Sequence, residues 1–95
     1  KPVKEVIARV YKPDRAHVLD KLKKVFGDKL EEKTDTEKFH RVCIKVDDPM
    51  DYLELFSSYG RSVAIEEPAE LREEIINEKK RILNFYYSLE DEIPK

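Results

Sequence analysis

Residues 58–75 read SYGRSVAIEEPAELREEI. Tyr59 and Gly60 close a helical pattern, Val63 and Ile65 alternate with Ala64 and Glu66, and Glu67-Pro68 leads directly into a charged helical stretch. An apolar residue at every second position is the signature of a strand with one buried face. Proline at a first helical position gives up an N–H that would go unpaired anyway, and Glu70 just beyond it favours the positive end of the helix dipole. Helix, strand and helix thus follow one another with no linker, which requires strands and helices to alternate through one small domain.

The same punctuation recurs upstream. Pro13 in KPDRA and Pro49 in DPMDY each have an acid within the next two residues and an apolar helical pattern beyond. Three helices are therefore expected to begin at about Pro13, Pro49 and Pro68, the last running over residues 68–90. Asp48 is placed to cap the second. Gly27 and Gly60 end the first two, each where a left-handed residue past the last turn costs least, while Pro2 and Pro94 mark the ends of the chain.

Between the helices, Val6, Ala8 and Val10 alternate with Ile7, Arg9 and Tyr11, and Val42, Ile44 and Val46 alternate with Arg41, Cys43 and Lys45. A weaker strand over residues 30–33 and a fourth over residues 61–66 complete the order. Strand, helix, strand, strand, helix, strand, helix predicts an α+β, ferredoxin-like βαββαβ two-layer sandwich with an additional long C-terminal helix and with the first and third strands central. Val18, Leu19, Leu22, Val25 and Phe26, with Leu53, Phe56 and Tyr59, are expected to cover one sheet face. The opposite face, carrying Ile7, Arg9, Tyr11, Arg41, Cys43 and Lys45, is left bare by those two helices and is expected to be covered in part by something else.

Ninety-five residues make one domain, residues 1–95, with a single core. Hydrophobic residues are 40% and charged residues 42%, with 19 Lys and Arg against 21 Asp and Glu, a balance that argues against a general nucleic-acid coat. The charge is unevenly placed. Residues 1–46 hold 13 basic and 8 acidic side chains and residues 47–95 hold 6 and 13, so the two halves are opposite in sign. No apolar run approaches the roughly 20 residues that span a bilayer, and no signal-peptide pattern opens the chain, so a cytoplasmic protein without membrane contact is expected. Cys43, the single cysteine, has no internal disulfide partner and is expected to be a buried inert thiol. The chain opens at Lys1 and its sole methionine is Met50, which is expected of a piece of a longer protein.

Catalysis has little support. His17 and His40 lie on different elements with no Cys or His at metal-ligand spacing, and Ser57 and Ser58 have no adjacent base. Asp47-Asp48 and Glu66-Glu67 precede prolines at helix starts, where capping explains them. Glycine at positions 27 and 60 alone cannot build a phosphate-cradling loop. The expectation is a protein that is not an enzyme and uses no cofactor or metal. KFHRVCIKV (38–46) has some likeness to the third strand of RNA-recognition domains, but the glycines and second aromatic of that motif are missing, and Phe39 alone makes a poor stacking platform.

YLELFSSYGRSVAIEEPAELREEI (52–75), followed by ILNFYY (82–87), resembles the C-terminal extension, or WCX domain, of WYL-domain transcriptional regulators. The likeness rests on Tyr59-Gly60, the strand of residues 63–66, Pro68-Ala69-Glu70-Leu71-Arg72 and Tyr86, and upstream on element order and VIARVYKPDRAHVLDKL. Tyr52 stands near where many relatives have tryptophan, and the hairpin around TDTEK is unusually charged. The resemblance implies a regulator with a winged helix for DNA, a middle WYL domain for an effector, and this domain last, serving dimerisation and part of the effector site. Single-stranded DNA is one effector the family responds to.

On that reading Arg9, Tyr11, Arg41 and Lys45 are candidates for one wall of a site for an anionic effector, such as a nucleotide or single-stranded DNA, completed by the WYL domain. Leu71, Ile75, Ile82, Tyr86 and Leu89 recur at helical spacing past the reach of a small sheet, and Ile75, Ile82, Tyr86 and Leu89 are candidates for a homodimer interface. The expected partners are a second copy, the WYL and winged-helix domains of the parent chain, DNA through that parent, and the effector. Two alternatives stand beside this reading. One is a purely structural dimerisation module, its cations a solvated face paired to Glu66 or a neighbour; the other is a ferredoxin-like nucleic-acid or small-ligand binding domain.

Overall fold

The two strands richest in β-branched residues pair along their whole length. β1 (Lys4–Tyr11) runs antiparallel to β3 (Phe39–Val46), from Lys4 opposite Val46 to Tyr11 opposite Phe39. That register sets Val6 against Ile44 and Ala8 against Val42, and all four are fully buried. β2 (Leu30–Asp35) and β4 (Val63–Glu67) flank them in the order β2-β3-β1-β4, every neighbour antiparallel. This is the ferredoxin-like arrangement read from the element order, with the first and third strands central. The structure, a computed structural model, describes residues 3–94, so the end marker Pro2 lies outside it.

α1 (Val18–Phe26) and α2 (Leu53–Ser58) lie on one face, where Leu22, Phe26 and Phe56 join the strand residues in one core. The rings of Phe26 and Phe56 stack at 5.9 Å, and Tyr52 closes on Phe26 at 5.0 Å. α2 is preceded by a 3₁₀ turn over Pro49–Tyr52, and the Asp48 carboxylate accepts from the Met50 N–H at 3.0 Å, as the capping pattern required. Gly27 and Gly60, at these two helix ends, both take φ of +58°, a positive value that favours glycine.

Three boundaries and one core residue differ from the sequence expectation. α1 starts at Val18 rather than near Pro13. Residues 12–17 form turns, and the Asp14 carboxylate reaches forward to accept from the N–H groups of Val18 at 2.8 Å and Leu19 at 3.0 Å. A Pro-Asp pair opens a turn as readily as a helix, and here the turn wins. Val25 points to solvent, 53% exposed, because it lies about 75° off the stripe of Val18, Leu19, Leu22 and Phe26 at 100° per residue. β2 extends to Asp35, and a register shift between Glu32 and Thr34 bends this charged edge strand. β4 begins at Val63, since Gly60–Ser62 form a 3₁₀ turn that the Ser62 N–H closes onto the Tyr59 carbonyl at 3.1 Å.

α3 (Ala69–Glu90) begins one residue past Pro68 and packs beside β4 and α2. Among the described residues no helix packs over the opposite sheet face. Leu71 is the fully buried residue of α3, Ile75 packs against the same core, and Lys79 Nζ donates to the Ser57 carbonyl at the end of α2 at 2.6 Å. The helix then leaves the body of the protein: Ile82 and Tyr86 are 42% and 58% exposed, and Leu83, Phe85 and Tyr87 are exposed too. This overhang accounts for a radius of gyration of 15.4 Å, against about 12 Å for a compact domain of this length. No helix among the described residues is long and apolar enough to cross a membrane.

Candidate functional site

Arg9 and Arg41 stand directly opposite each other on the two central strands, on the open face. Like charges in opposed positions repel, and a long-range acid resolves the conflict. Glu66 on β4 accepts from Arg9 Nε at 2.8 Å and from Arg41 Nε at 3.0 Å through the same oxygen, and from the second Arg41 guanidinium nitrogen at 3.2 Å through the other. Its carboxyl is held below the usual carboxylate range, chiefly by the hydrogen bonds from Arg41 and then from Arg9. Both guanidiniums are in turn held further toward their charged form by Glu66.

The position of Glu66 follows from a break in the ladder. Ile7 stands opposite Glu67 and Ala8 opposite Ile65, so Glu66 is an extra residue without a partner on β1. Its carbonyl accepts instead from Arg72 at 3.0 Å, across the joint between β4 and α3. Three residues of the Pro68–Arg72 stretch thus have distinct physical roles. Pro68 opens the helix, its carbonyl taking the first bond from the Arg72 N–H at 3.1 Å; Leu71 anchors the helix in the core; the Arg72 side chain closes the corner.

Aromatic rings border the guanidiniums. Arg9 lies over the Phe39 ring at 4.6 Å from its centroid, a cation–π geometry, and Tyr11 meets Phe39 edge-on at 5.6 Å. Arg9 also donates to the Tyr11 hydroxyl at 3.4 Å. Beyond Tyr11 the surface opens into a depression of about 770 Å³, with Lys12, Arg61 and Ser62 on its walls. Farther along the same face Ile7 and Cys43 face each other and are buried, and burial pushes the Cys43 thiol up, so the reactive thiolate form is disfavoured.

The structure therefore brings Arg9, Tyr11 and Arg41 together. Lys45 is on the same strand face but away from the cluster, exposed and opposite Glu5. Phe39, set aside in the sequence as a lone aromatic, is the ring beneath Arg9; its alternation with Arg41 and Cys43 already placed it on that face. Lys12 was passed over because it sits in a turn, where no periodicity marks a side; Arg61, read as the first residue of the fourth strand, lies instead in the 3₁₀ turn of Gly60–Ser62. Of the residues expected at a dimer interface, Ile75 is partly occupied by its own core, Leu89 is half-buried, and Ile82 and Tyr86 are exposed. At 100° per residue Ile82 and Tyr86 fall within about 60° of Leu71, so the face buried at the root of α3 continues, uncovered, along the overhang.

Two guanidiniums sharing one carboxylate leave an excess positive charge and unspent N–H donors at an open surface. Such a fork suits a planar or tetrahedral oxyanion.

The WCX domain family matches residues 2–83. Among solved structures, Proteasome accessory factor B/C (PafBC) of Arthrobacter aurescens is similar in fold, with a TM-score of 0.64 at 21% identity over 99% of this chain. The chain spans 13% of the length of that neighbour. No curated protein matches the sequence.

Proposed function

The chain belongs to the WCX domain family, and from that premise we propose that it serves as the C-terminal sensing and assembly module of a WYL-type transcriptional regulator. In this reading it is non-catalytic and cytoplasmic. Its open sheet face forms one wall of a site for an anionic effector, a nucleotide or single-stranded DNA, and the overhang of α3 pairs with a second copy. The WYL and winged-helix domains of the parent chain supply the rest of the pocket and the DNA contact. The observation that carries the effector half is the guanidinium pair of Arg9 and Arg41, held side by side with one carboxylate between them on a face that no helix covers among the described residues.

Replacing Arg9 and Arg41 together by Ala should weaken binding of a short single-stranded oligodeoxynucleotide to the full-length regulator and flatten its salt dependence. Unchanged affinity in the double variant refutes the pocket. A second reading, a purely structural dimerisation module, draws on the fact that Glu66 already pairs with both guanidiniums. Sedimentation equilibrium tests the assembly half under either reading. A two-fold dimer at about 100 μM that dissociates on Ile82→Glu with Leu89→Glu supports it, by mass action; a strict monomer indifferent to that change refutes it.

A further inference from the structure

We propose that Glu66 is a built-in competitor for the guanidinium pair, displaced by an incoming oxyanion, and that its displacement loosens the root of α3. The proposal rests on the effector reading above and assigns a specific residue as the gate of that site.

Geometry supplies the first part. Glu66 occupies the ground between Arg9 and Arg41, its side chain only 24% exposed against 39% for each guanidinium-bearing side chain. A second anion reaching the same donors must stand within a few ångströms of the Glu66 carboxylate, where like charges repel, or must take its place. Displacement resolves the repulsion and restores a bidentate anion to Arg41. The site therefore selects occupants that carry more negative charge, or more acceptor oxygens, than a single carboxylate offers. Phosphate-bearing groups meet that condition.

The ladder break supplies the second part. Because Glu66 has no partner on β1, what holds it is its own carboxylate on the two arginines and its carbonyl under Arg72. Once the carboxylate is released, the Arg72 bond is the remaining polar tie of Glu66 itself, between the paired positions Ile65 and Glu67 and two residues before Pro68. An event on the open sheet face thereby reaches the start of the helix that carries the exposed apolar stripe.

The experiment is an NMR titration of the chain with inorganic pyrophosphate, followed at the arginine Nε–H and backbone amide signals. Glu66→Gln keeps an acceptor of the same shape and removes the charge. It should bind pyrophosphate about tenfold more tightly than the parent chain, the order expected for removing one like charge at close range near a surface. Glu66→Asp, which keeps the charge, should bind as the parent chain does. In the parent chain, pyrophosphate should also speed hydrogen exchange at amides 67–73. Equal or weaker binding by folded Glu66→Gln overturns the proposal while leaving the effector reading in place. Binding by neither chain overturns this proposal, and the effector reading is then decided by the oligonucleotide titration of the full-length regulator. Tighter binding by Glu66→Gln with unchanged exchange at 67–73 in the parent chain overturns the link to α3.

Discussion

Leu71→Ala is the substitution that tests how α3 is attached. Leu71 is completely enclosed and is the buried residue of α3, so truncation removes its packing and leaves a cavity. Leu→Ala changes at such sites cost about 3 to 5 kcal/mol, offset by only about 0.2 kcal/mol of improved helix propensity. For a chain of 95 residues the unfolding entropy is about 0.2 kcal/mol/K, so a loss of about 3 kcal/mol lowers the melting temperature by about 15 °C. Ile82→Ala is the control. Ile82 lies on the same helical face but is 42% exposed, and at micromolar concentration, with no partner copy bound, its truncation should move the midpoint by less than about 3 °C. Thermal melts followed by circular dichroism at low concentration compare the two. Equal shifts for Leu71→Ala and Ile82→Ala, or a Leu71→Ala shift below about 5 °C, would refute Leu71 as the principal anchor of α3.

Acid should weaken the fold partly through Glu66. Its folded-state carboxyl is held below the ordinary range, so its contribution is complete above the unfolded value of about 4.3 and disappears as pH falls through the lower folded value. The effect is moderated by solvent, since both arginine side chains are 39% exposed. Urea midpoints should fall more steeply from about pH 5 to pH 2 in the parent chain than in Glu66→Gln, and parallel acid limbs would count against the pairing. Asp14→Ala removes the acceptor of two helix-start N–H groups and should cost about 1 kcal/mol in urea unfolding, with exchange quickening first at Val18 and Leu19; no loss would mean water replaces Asp14 without penalty.

Periodicity carried most of the fold because β1 and β3 are buried on one face throughout, and a strand with one dry face cannot conceal its register. Pro49 and Pro68 signalled helix starts correctly; Pro13 did not, because a proline followed by aspartate satisfies a turn equally well and only the forward reach of Asp14 decides between them. The candidate site was legible only in part. Alternation put Arg9, Tyr11 and Arg41 on a shared face, but their grouping around Glu66 depends on a contact 57 residues away in sequence and on a one-residue slip in the β1–β4 ladder. No apolar pattern records such a slip, since beyond Ile65 the strand ends in Glu66 and Glu67, with no apolar residue to mark a face. The depression beside Tyr11 was hidden for the complementary reason that turns have no period.

The overhang of α3 has a mechanical consequence. Measured from its last tie to the body, Lys79 on the Ser57 carbonyl, to Leu89, the helix is a stiff arm of about 15 Å. A swing of about 20° there carries the tip sideways by about 5 Å, nearly the pitch of one helical turn. A displacement of that size is enough to shift a neighbouring helix from one row of interdigitated side chains to the next. On the proposal made above, the corner around Glu66 and Arg72 would be a short input arm and the overhang a long output arm ending in exposed aromatic residues, the proportions of a lever that magnifies a small movement into a change of packing partner.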